Sequence, residues 1–187
     1  MNQSTFITPT PTPSALFGTP GNDLSLAAIG GMVSSLLVLL YDIAPLPPFL
    51  FLVLVPAGQG LLYWGFHQVG RFYHLKWVLR GARLMLLGLL MSWVSSLTGW
   101  SLANWVFKFA FWVSPFLVFV DLWPMRQLTN RPLATALVIS QIAFNAGNHL
   151  KFVSPDWTGF WEACTTALTA WFLYDVAERF SRTHPAN

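Results

Sequence analysis

The order of apolar and polar positions divides the chain into long greasy runs separated by short polar breaks. Residues 1–23 read MNQSTFITPTPTPSALFGTPGND, where Thr–Pro alternation blocks helix and offers little to bury, so a disordered tail is expected. This tail has no positive charge ahead of an apolar core, as a signal peptide requires, and the first run is therefore read as a retained anchor. Six apolar runs follow, at about 24–41, 49–66, 81–99, 102–123, 133–150 and 160–176. A transmembrane helix needs about 20 mainly apolar residues, and no run alternates with the period of a strand. The expected fold is all-α: a polytopic six-helix transmembrane bundle of three helical hairpins over residues 24–178, followed by a short charged tail at 179–187.

Details within the runs refine this picture. In the first, Ala27, Gly31 and Ser35 recur every four residues, as do Gly30 and Ser34. Small residues at that spacing let another helix approach closely, either within the chain or from a partner. Pro56 and Pro115 each remove a helical hydrogen bond, so kinks are expected near Leu52 to Pro56 and near Phe111. Ser92, Ser95 and Ser96 are read as helix-packing residues.

Composition places the chain in a membrane. Charged residues make up 9% and hydrophobic residues 55%, and the 10 Trp and 16 Phe suit lipid-facing surfaces and interfacial belts. A soluble globule of this length needs a more charged surface. The formal net charge of +3 comes from cations lying between apolar runs, which suits anionic lipid headgroups and argues against nucleic acid. The single cysteine, Cys164, excludes an internal disulfide and is read as a buried, inert thiol in an apolar helix.

Orientation follows from the stretch Gly65 to Arg83, which carries Arg71, Lys76, Arg80 and Arg83 between two apolar runs. Lys76, Arg80 and Arg83 share one helical face, with Phe72, Tyr73 and Trp77 interleaved, as in a helix entering the membrane through the headgroups. Six crossings put Arg71, Lys76, Arg80, Arg83, Arg126, Arg131, Arg179 and Arg182 on one side, leaving Lys108 and Lys151 on the other, which accounts for all 10 Lys and Arg residues. The bias of cations toward cytoplasmic loops then puts both termini inside. The expected location is the inner (cytoplasmic) membrane of a bacterium, with anionic headgroups on the cytoplasmic side as partners.

Candidate chemistry is sparse. Gln141, Asn145 and Asn148 fall at i, i+4 and i+7 of the fifth run, with His149 beside them. Amides in hydrocarbon need partners, so this stripe is expected to face the bundle interior, as is Gln59 in the second run. Two meanings are open for it: hydrogen bonding between helices, or a ligand site. Lys108, about 9 Å from the outer end of its helix, is expected to snorkel to the interface or to pair with Asp42, Asp156 or Glu162. His67 and His74 are read on one helical face on the opposite side from His149, an arrangement that does not offer facing haem ligands. No HExxH, Cys/His cluster, GxSxG or phosphate loop occurs, so no metal, cofactor or catalytic residue is assigned. The first functional expectation is a non-catalytic membrane subunit, anchor or assembly component, in contact with other membrane subunits or further copies of itself. The alternative is a small-molecule binding or transport component using the polar face of the fifth helix.

Overall fold

Backbone N–H and C=O groups in an apolar run have no water to bond, and only a helix satisfies them within the segment. All six runs are helical in the computed structural model, which describes residues 20–44, 47–149 and 155–183. In chain order the helices are α1 (Pro20–Ile43), α2 (Pro48–Phe72), α3 (Lys76–Thr98), α4 (Ser101–Leu122), α5 (Arg131–His149) and α6 (Pro155–Thr183). No strand occurs among the described residues. Four helices, α1 to α4, are long and apolar enough to cross a membrane. The Thr/Pro-rich residues 1–19 lie outside the described residues.

The helices outrun the apolar windows. α1 starts at Pro20, inside the segment expected to be disordered, because proline's fixed φ suits the first helical turn. α2 continues past Phe66 to Phe72 and α3 begins at Lys76, so the basic stretch is helical apart from a short turn. α6 reaches Thr183, and Phe180 is buried, so the segment from 179 to 183 is not a free tail. Hydropathy changes where hydrocarbon would end, whereas the i to i−4 hydrogen-bond ladder can continue into the headgroups or water. Both α2 and α4 run on through Pro56 and Pro115.

Each helix packs on the next, and α6 returns to α1, closing a ring that α2 and α6 also bridge. Among the described residues the α3–α4, α1–α6 and α1–α2 seams are the most extensive, and α5 is the most lightly packed member. The helices alternate in direction. Phe180 near the end of α6 packs edge-on to Phe72 and Tyr73 at the end of α2, with ring centroids 4.8 and 5.8 Å apart. Gly21 at the start of α1 lies beside Ser181 on α6.

The small-residue stripes of α1 are used inside the chain. A Cβ on Gly58 would collide with the carbonyl oxygen of Gly30, so α1 and α2 meet backbone to backbone. Ser34 Oγ donates to the Val55 carbonyl of α2 (3.1 Å), and Ser35 Oγ donates to the Ala163 carbonyl of α6 (2.7 Å). Gly65 sits equally close to α1 and α6: an added Cβ would lie 2.6 Å from Ala27 Cβ and 2.5 Å from Leu173 Cδ2. The α3 serines differ from expectation. Ser92 and Ser95 are half-buried, and Ser96 is exposed with its hydroxyl bonded back to the Ser92 carbonyl at 2.9 Å.

Two backbone devices organise the basic end. The turn after α2 bonds Leu75 N–H to Gly70 O (2.8 Å) and His74 N–H to Arg71 O (3.4 Å), the pairing of a Schellman motif. His74 takes the left-handed position with φ 55°, where glycine is usual. α3 has Leu75 as its N-cap residue, which offers no side-chain cap of its own. Its cap comes from α4: Asp121 Oδ2 accepts the N–H groups of Trp77 (2.6 Å) and Val78 (3.2 Å). A carboxylate at a helix N-terminus satisfies orphan donors and opposes the positive end of the dipole.

Candidate functional site in the helix ring

Large side chains fill most of the ring, but they leave a cavity of about 30 Å³ between α2, α3, α4, α5 and α6. One buried water needs about 10–15 Å³ by this measure, so the space suits about two waters or one small polar group. Phe66, Met85, Phe111 and Leu137 supply apolar wall. Tyr63 from α2, Ser114 from α4, Gln141 from α5 and Thr169 from α6 also line this space, whose surface is mainly apolar. Tyr63, Ser114 and Gln141 are buried. The Thr169 hydroxyl donates to the Thr165 carbonyl (2.7 Å), which leaves its oxygen available as an acceptor.

Local sequence explains why polar capacity collects here. Pro115 has no N–H for the Phe111 carbonyl four residues earlier, and both residues are in the wall. Ser114 precedes that proline, and its carbonyl would lie 3.1 Å from a Cβ on Gly81, so α3 and α4 touch closely beside the cavity. Phe111 also meets Phe144 of α5 edge-on, with centroids 5.8 Å apart. The hydroxyls and amide are neutral, and the surrounding wall is apolar. Such a site suits an uncharged hydrogen-bonding group, because an ion would lose its hydration without a paired charge.

Of the amide stripe on the fifth helix, Gln141 is in this wall. The side chains of Asn145, Asn148 and His149 lie outside the described residues. Gln59 is also buried, on α2, but is not part of the wall. Lys108 is exposed with its Nζ 6.0 Å from the Trp105 ring centroid, and it makes no ion pair among the described residues. Asp42 and Asp156 side chains lie outside the described residues. Glu162 is half-buried on α6 and acts electrostatically on Tyr63.

Arg71, Lys76, Arg80 and Arg83 are all exposed at the basic end. The Arg80 guanidinium lies over Trp77 at 4.6 Å, and Arg131 lies over Trp123 at 4.9 Å. Two expectations need correction. His67 and His74 do not share a helical face: α2 ends at Phe72, and His74 sits in the turn beyond it. Cys164 is exposed, because its position on α6 turns away from the ring while Ala163 and Thr165 turn inward.

Asp121 and the cavity residues Tyr63, Ser114 and Thr169 were not singled out by sequence reasoning. A serine before an intrahelical proline was the available signal for Ser114. Nothing local marks Asp121 as the cap of a helix that begins far upstream. Comparison with protein-family models, curated proteins and solved structures gives no match.

Proposed function

We propose that this chain is a six-span integral membrane protein that binds, and admits across the bilayer, a small uncharged hydrogen-bonding solute at the ring cavity. The observation that carries this reading is the convergence of Tyr63, Ser114, Gln141 and Thr169 from four helices on one space. Amides and hydroxyls are costly in hydrocarbon, and grouping them around a cavity gives them a shared use. The light packing of α5 supports access, since a modest displacement of that helix widens the space beside Gln141. The small-residue faces of α1, which would also have suited a partner subunit, are occupied within the chain, so they lend no support to an anchor or assembly role.

Six crossings rest on length and charge. α5 has 19 residues and spans about 28 Å, close to the roughly 30 Å hydrocarbon core. α6 has 29 residues, about 43 Å, enough to cross and project its charged end beyond. Arg71, Lys76, Arg80, Arg83, Arg126, Arg131, Arg179 and Arg182 then mark the cytoplasmic face with both termini. Reporters fused after Arg83 and Arg182 should register the cytoplasm, and one fused at Ser154 the opposite side. Agreement between the Ser154 and Arg182 fusions would rule out one crossing.

Uptake tests the function. Proteoliposomes should swell in glycerol or urea gradients faster than protein-free vesicles. Gln141→Leu combined with Ser114→Ala should slow this about tenfold at equal inserted protein. Swelling equal to protein-free vesicles, or unchanged by the double substitution, would sink the reading.

A further inference from the structure

A second polar group lies on the outer side of the α2–α3 seam, away from the cavity. α2 and α3 approach closely at Gly70 and Leu79, where a Cβ on Gly70 would lie 2.9 Å from the Leu79 backbone nitrogen. The Leu79 backbone and its side-chain Cγ fill the space a side chain at position 70 would need. The helices run antiparallel, so counting one turn deeper from Gly70 and Leu79 pairs the level of His67 on α2 with that of Arg83 on α3. Phe66 and Ala82, the residues next to them, turn inward to the core, which leaves His67 and Arg83 on the outer side. Arg71 is one turn from His67 toward the basic end of the same helix, and both guanidinium groups lie within electrostatic reach of the imidazole. Trp64 stacks on His67, with centroids 5.2 Å apart and planes 18° apart. His67 Nδ1 is buried without a hydrogen-bond partner among the described residues.

Two exposed guanidinium groups beside a half-buried imidazole form a concentration of donors with no carboxylate among the described ion pairs to satisfy it. Arginine forks match tetrahedral oxyanions, and the stripe has an internal order that matches a lipid. Read from the bundle middle outward, Trp64, His67 and Arg71 pass from an amphipathic ring to a half-buried donor to an exposed cation. That sequence follows the order of a phospholipid from glycerol backbone to phosphate to water.

We propose that the outer face of the α2–α3 seam is a stoichiometric site for one anionic glycerophospholipid, its phosphate held by Arg71, Arg83 and His67 and its glycerol region resting on Trp64. The site differs from diffuse attraction by the basic end. It depends on particular residues at one seam, and Lys76 and Arg80 contribute field without being required. Cavity binding is independent of it.

Native mass spectrometry of the detergent-solubilised full-length chain tests the proposal, with added phosphatidylglycerol, with phosphatidylcholine, and with inorganic phosphate. The expected result is one phosphatidylglycerol retained per chain, about tenfold more strongly than phosphatidylcholine, equivalent to about 1.4 kcal/mol. Arg71→Gln and Arg83→Gln should each weaken retention about tenfold, and His67→Leu severalfold. Arg80→Gln and Gln141→Leu should leave it unchanged. Arg71 and Arg83 are exposed, and an unchanged melting temperature in each variant separates lost binding from lost fold. Equal retention in Arg83→Gln and the parent chain would overturn the site, as would equal losses in Arg83→Gln and Arg80→Gln. Displacement of the lipid by inorganic phosphate would assign the seam to a soluble anion and likewise overturn it.

Discussion

Removing the Asp121 carboxylate tests how the basic end is held together. Asp121 Oδ2 accepts two backbone N–H groups, from Trp77 at 2.6 Å and Val78 at 3.2 Å, and no residue near the start of α3 replaces it. Loss of a helix cap costs about 1 kcal/mol in ordinary settings, and a carboxylate on an N-terminal dipole adds about 0.5 kcal/mol. Hydrogen bonds to a charged acceptor reach about 1.5–3 kcal/mol when dry, but this end is partly exposed, which lowers their value. Asp121→Ala should therefore destabilise the protein by about 2 kcal/mol. Asp121→Asn, which keeps an acceptor and loses the charge, should cost about half as much. Peptide-level amide exchange across residues 76–80, read in detergent, should accelerate about thirtyfold in the alanine variant, with a parallel fall in thermal midpoint. If the alanine variant exchanges within about twofold of the parent chain, α3 does not depend on α4 for its cap. If asparagine is as stable as the parent aspartate, the charge contributes nothing and the dipole argument fails.

Three further outcomes follow from the packing and the turn. Gly65→Val should cost about 3 kcal/mol or prevent insertion because of the Ala27 and Leu173 contacts, whereas Gly60→Ala, with only Leu89 Cδ2 at 3.7 Å, should be tolerated; comparable yields of both folded variants would refute the close approach. His74→Gly should stabilise by about 1 kcal/mol by relieving the left-handed residue, and a lower thermal midpoint would contradict the Schellman assignment. Burial pushes the Tyr73 phenol up to about 12, with the Thr183 hydroxyl opposing part of the effect. Its raised value means that its contribution to stability is complete below the ordinary tyrosine value of about 10 and is lost as pH rises toward 12. Melting in detergent between those limits should show the loss, and Tyr73→Phe should remove this part of it; an identical alkaline profile in Tyr73→Phe would refute the assignment.

Much of the architecture was legible because hydropathy is a local property. The six helices lie where the apolar runs lie, and Gln59 and Gln141 are buried, as expected of amides that cannot face hydrocarbon alone. Helix ends were less legible. Hydropathy locates the expected hydrocarbon boundary, but hydrogen bonding carried α2 on to Phe72 and α6 on to Thr183. The exposure of Cys164 was missed for a related reason: an apolar helix has an outward face, and nothing in its own composition says which residue lies there.

The apolar character of the chain, the six helices among the described residues and the gathering of cations near particular helix ends are local, since each follows from residues within one window. Tertiary packing alone brings Gly30 to Gly58, places Asp121 as the cap of α3, and sets His67 within electrostatic reach of Arg83. It also decided that Tyr63, Ser114, Gln141 and Thr169 surround one cavity. Those relations depend on the rotation and register of whole helices. Both are set by the summed packing of many side chains along every seam, and a shift of one residue on any helix, about 100° of rotation, would assemble a different site from the same sequence.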